Sequence, residues 1–110
     1  MDGLSLESLV EEHLALAREH GSGRSAVTVH GGREHHLRQT LIALAGGRSL
    51  GEHESPGEAT LQVLRGRIRL HSGADTWEGG PGDYAPIPPH RHDLEAIEDA
   101  AVLLTVANPL

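Results

Sequence analysis

A chain of 110 residues with a formal net charge of −7 is most simply one domain, and its acidity excludes bulk neutralisation of nucleic-acid phosphates. It contains no Cys, which removes disulfides, thiolate catalysis and thiolate metal sites. Phe is absent and there is one Trp and one Tyr, so the core must be built from aliphatic side chains. No long apolar run and no signal-peptide pattern is present, so a soluble, cytoplasmic protein with no membrane and no nucleic-acid partner is expected.

Residues 1–20 read as a helix. Leu6, Leu9, Val10, His13, Leu14 and Ala17 follow the i, i+3, i+4 spacing of an apolar stripe, Ser5 suits the N-cap, and Gly21 suits the stop. The expected role of the stripe is to pack across the outside of the protein's own sheet or against a subunit neighbour. Residues 1–23 are thus an N-terminal helix and linker, and residues 24–110 a β-domain.

From residue 24 onward short strand patterns alternate with Gly and Pro turns. The expected strands are 26–30, 36–45, 49–53, 59–65, 67–71, 76–78, 84–87, 92–98 and 101–107. Nine short strands at this spacing indicate an all-β sandwich or barrel. Gly79-Gly80-Pro81-Gly82-Asp83 is a tight turn, and Asp75 and Asp83 read as turn residues. Arg65, Arg67 and Arg69 form a basic stripe, expected to face solvent and pair with carboxylates.

Two segments stand out: Gly51 to Gly66, reading GEHESPGEATLQVLRG, and Gly79 to His92, reading GGPGDYAPIPPHRH. Together they resemble the two motifs of the cupin superfamily, the small jelly-roll β-barrels. In the first motif a glycine precedes His-x-His, then Glu or Gln, and a glycine ends the following strand. Counted back from Gly66, the first His falls on His53, the second on Ser55 and the acidic position on Ala59. In the second motif, Gly82-Asp83, Pro88 and His92 match the Gly-Asp turn, Pro and His. The resemblance spans residues 37–106.

It implies a jelly-roll barrel with His53 and His92 in the lumen, and a homodimer. Metal-binding cupins hold their ion with three His and one Glu, and this chain keeps two of those four positions. A divalent metal (Zn, Fe, Ni or Mn) would need improvised ligands, for which Glu58 and His90 are the candidates. Glu58 would need a bulge after Pro56-Gly57 to turn inward. The remaining histidines, at 13, 20, 30, 35, 36 and 71, read as structural or solvated. The favoured expectation is a metal-free cupin that binds a small molecule or regulates through it, with His53 and His92 as the polar groups of an apolar pocket. The alternative is a metal-dependent cupin enzyme, dioxygenase- or isomerase-like. No catalytic residue is identified.

Overall fold

The computed structural model describes residues 1–107; positions 108–110, the end of the expected β-domain, lie outside the described residues. Helix α1 (Leu6–Glu19) begins one residue after its cap: the Ser5 hydroxyl accepts a hydrogen bond from the Ser8 amide at 3.1 Å. This satisfies one of the amides that a helix start leaves without an intrahelical partner. The helix is shorter than the expected span of residues 1–20. Residues 1–5 are exposed, so no burial offsets the entropy of ordering another turn.

Eight strands follow among the described residues: β1 (Arg24–His30), β2 (Leu37–Leu44), β3 (Glu58–Arg65), β4 (Ile68–Ser72), β5 (Asp75–Gly79), β6 (Tyr84–Pro86), β7 (Asp93–Ala96) and β8 (Ala100–Ala107). They form a five-stranded sheet of order β1-β2-β8-β3-β6 and a three-stranded sheet of order β5-β4-β7. All their pairings are antiparallel. Pro86 fits its strand because β6 lies at a sheet edge, where the missing N–H interrupts no ladder.

The expected strand at 49–53 is replaced by an arm touching the three-stranded sheet through two isolated bridges, Ser49 with Glu95 and His53 with His92. Between them the Gly51 amide donates to the Asp93 carboxylate at 2.9 Å rather than to a strand carbonyl. Gly51 also has φ +85°, a left-handed conformation that interrupts an extended run. Gly66, which closes the first motif, is needed for a second reason. It has φ +75°, and an added Cβ would collide with the Asp99 carbonyl and Ala100 Cα. The β3–β4 corner therefore passes closer to the β7–β8 turn than any side chain permits.

Alternation along the strands divides the apolar residues into two clusters. One lies between the sheets and includes Ala59, Leu61, Val63, Ile68, Leu70, Leu94, Val102 and Val106. The other joins Val10, Leu14 and Ala17 of α1 to Leu41, Ala43 and Ala101 on the outer face of the larger sheet. The helix thus packs on its own sheet, one of the two seats expected for the stripe. Arg18 reinforces the seat by an ion pair with Asp99 at 2.6 Å, while Asp99 also accepts from the Gly46 amide at 2.8 Å.

Candidate functional site

The two segments singled out in the sequence meet at one edge of the barrel. His53, on the arm, and His92, just before β7, exchange both backbone hydrogen bonds at 3.0 Å. Facing residues in such a pair put their side chains on the same side, and here the rings meet edge to face, with centroids 4.4 Å apart and planes at 70°. His92 is 4% exposed, whereas His53 is exposed.

Each ring is oriented in the same way. The Nδ1–H of His53 donates to the Gly51 carbonyl and that of His92 to the His90 carbonyl, both at 2.9 Å. A carbonyl oxygen can only accept, so the proton of each neutral ring sits on Nδ1 and the lone pair on Nε2. Neither Nε2 has a protein partner among the described residues. The His92 Nε2 is also not sealed away as a buried atom lacking a partner.

Both rings line a cavity of about 40 Å³. The rest of its wall is hydrocarbon: Ile42, Leu61, Leu70, Leu94 and Leu104 from the strands, Ile87 after β6, and Leu50 and Pro56 from the arm. One buried water needs about 10–15 Å³ on this measure, so the space suits about three waters or a short aliphatic chain. The arm is therefore one wall of the cavity. It is held by Arg91, whose guanidinium bonds Glu54 at 2.9 Å and approaches Glu52 at 3.7 Å. Both acids thus turn away from the cavity, as alternation around His53 predicts.

The other candidate ligands are not brought to the pair. Glu58 pairs with Ala107 and Ala59 with Val106 in unshifted register. The strand therefore has no bulge after Gly57; its irregularity lies between Val63 and Arg65. Regular alternation leaves Glu58 exposed and puts Ala59 in the core. His90 is exposed beyond Pro88-Pro89, and it contributes its backbone carbonyl to orient His92. Ser55 spends its hydroxyl on Gly57, donating to the carbonyl at 3.2 Å.

A catalytic divalent metal takes three or more protein ligands. The cavity offers two imidazoles in hydrocarbon, and among the described residues no group of three or more His, Asp or Glu could hold an ion. The residues present do not fit a resident metal.

Elsewhere several polar residues have local partners. His13 is buried under α1, its Nδ1 2.7 Å from the Ser25 hydroxyl. His30, His35 and His36 are exposed, and His71 lies 3.5 Å from Glu95. Arg65 pairs with Glu11 at 2.8 Å, and Arg69 with Glu78 at 3.2 Å and Glu95 at 2.9 Å. Two of the three Arg of the basic stripe thus make the expected carboxylate pairs, Arg67 making none among the described residues, and surface pairs of this kind make no binding site. Asp83 closes its turn by accepting from the Gly80 amide at 2.8 Å. Leu50, Pro56 and Arg91 were not legible as site residues. Their roles arise from the arm's return to β7, and no local pattern encodes that contact.

No protein-family model matches the chain, and no curated protein matches it. Among solved structures, the chain is similar to a conserved protein of unknown function from Streptococcus pyogenes, with 26% identity over 83% of this chain and 79% of that one, at a TM-score of 0.71. A cupin superfamily protein from Desulfitobacterium hafniense has 17% identity over 78% of each chain and a TM-score of 0.71. An RmlC-like cupin from Shewanella frigidimarina has 19% identity over 81% of this chain and 79% of that one, with a TM-score of 0.69. No helix among the described residues is long and apolar enough to cross a membrane. With its two antiparallel sheets, its His53–His92 junction and these neighbours, the chain has the cupin jelly-roll fold.

Proposed function

We propose that this cupin binds a small, largely aliphatic molecule in the cavity between its sheets, and that His53 and His92 recognise a hydrogen-bond donor on it. One observation carries the reading. Two Nε2 acceptors, each oriented by an Nδ1–H bond to a carbonyl, border a wall that is otherwise hydrocarbon. Apolar walls with a few oriented polar groups are the usual makeup of a ligand pocket. The lining has no carboxylate and no hydroxyl, which supports binding or ligand-dependent regulation over turnover.

Butan-1-ol is a suitable probe, because its chain matches the cavity and its hydroxyl can donate to an imidazole. Titration followed by imidazole ¹⁵N shifts should move the Nε2 resonances of both histidines, and His92→Ala should lose the response. Imidazole shifts that stay constant to saturating alcohol would refute the proposal. So would one tightly held divalent metal per purified chain that His53→Ala removes.

A further inference from the structure

Arg38 has no role in the fold described so far. In the ladders, Arg38 faces Val106 across β2–β8, and Ala59 faces Val106 across β8–β3. Residues opposite one another in an antiparallel pair share a face. Val106 and Ala59 belong to the cluster between the sheets, so Arg38 is rooted on the barrel's interior face. Two residues along each strand, on that same face, lies the row Thr40–Leu104–Leu61, whose Leu104 and Leu61 line the cavity. Such rows are about 6.6 Å apart. A long, flexible guanidinium side chain therefore starts one row from the ligand space.

Its Nε is buried and has no hydrogen-bond partner, and it makes no ion pair among the described residues. Among the described residues it is the one buried side-chain polar atom left without a partner, in a chain with 16 acidic residues against nine Arg; Arg18, Arg65, Arg69 and Arg91 each hold a carboxylate. A buried donor without an acceptor costs stability.

We propose that Arg38 anchors the carboxylate of a short-chain hydroxy acid whose hydroxyl end meets the His53–His92 pair; this rests on the binding role proposed above for the cavity. The guanidinium fork matches a carboxylate in shape and charge. The two Nε2 acceptors suit a hydroxyl, and the hydrocarbon wall between suits a few methylenes. The ligand supplies an acid that no described residue provides to Arg38.

The test compares 4-hydroxybutyrate with its neutral, isosteric amide, 4-hydroxybutyramide, and with inorganic phosphate, by calorimetric or NMR titration. Wild type should prefer the acid over the amide by about tenfold to a hundredfold, the range of a charge-assisted hydrogen bond. Arg38→Gln should reduce that preference to about twofold or less while still binding the amide. Arg38→Met, which removes the buried orphan donor, should raise Tm.

Equal wild-type affinity for acid and amide overturns the role of Arg38 and leaves the cavity as a binding site. Failure of both to bind overturns the cavity reading as well. Phosphate binding as tightly as the acid overturns the hydroxy-acid assignment. A lower Tm in Arg38→Met overturns the proposal by making Arg38 a structural residue.

Discussion

The larger sheet has two faces that differ in what they leave unsatisfied. On the outer face α1 closes over Leu41, Ala43 and Ala101, each 0% exposed, and the polar group caught beneath it, His13, has a partner in Ser25. On the inner face the packing stops short around a cavity, and among the described residues Nε2 of His53, Nε2 of His92 and Nε of Arg38 have no protein partner. Both faces bury aliphatic side chains at comparable depth, so burial alone does not separate structure from function. Unspent hydrogen-bonding capacity does, because folding tolerates it only at a cost.

Breaking the outer face should give the largest effect. Leu41→Ala empties a fully buried site against α1 and should destabilise the protein by about 2–5 kcal/mol in chemical denaturation. Butan-1-ol binding per folded molecule should be retained, since Leu41 does not line the cavity. A variant that keeps its stability would show that the helix seat contributes little.

A smaller effect is expected from the pin between helix and sheet. The Gly46 amide and then the Arg18 guanidinium hold the Asp99 carboxyl below the usual aspartate value of 3.8. A carboxyl depressed in the folded state adds stability that is fully present above its unfolded pKa and is lost as pH falls through the folded one. Wild type should therefore lose stability on acidification from about pH 4 downward, more steeply than Asp99→Asn. Parallel acid limbs for the two proteins would show that the carboxylate contributes nothing to the seat.

The smallest effect should come from the arm. Arg91 lies in exposed pairs with Glu52 and Glu54, so Arg91→Ala should leave Tm close to wild type. Amide exchange at His53, whose N–H bonds the His92 carbonyl, should nevertheless accelerate as the arm loosens. Unchanged exchange there would mean that the paired backbones of His53 and His92 hold the arm by themselves.

Much of this architecture was readable from local patterns. The stripe of α1 requires only a period near 3.6, and Ser5 marks its start. The strand ending at Gly66 and the Gly80–Asp83 turn depend on backbone conformations that few residues allow. The motif register also identified Ala59 and Ser55 as departures from a metal-ligand set, and the structure gives each of them other work. The arm was harder to read. Ser49–His53 has a strand-like composition, but its pairing depends on β7, more than forty residues away, and on the Asp93 side chain that captures Gly51.

Arg38 was missed for a related reason. β2 is covered on both faces, by α1 outside and by the second sheet inside. Its apolar residues therefore do not alternate cleanly with polar ones, and nothing local distinguishes the inward Arg38 from its neighbours.

By itself the sequence determined the helix, the succession of strands and turns, the jelly-roll class and the pair of histidines that meets in space. The helix and strands follow from periodicity and backbone preference; the jelly-roll class and the histidine pair follow from the resemblance of two short motifs to those of cupins. Only the tertiary structure decided that Glu58 turns outward, that the 49–53 segment walls a cavity, and that Arg38 is rooted on the inner face with no ion pair among the described residues. Those outcomes depend on register and on contacts between distant strands, where a shift of one residue exchanges the two faces.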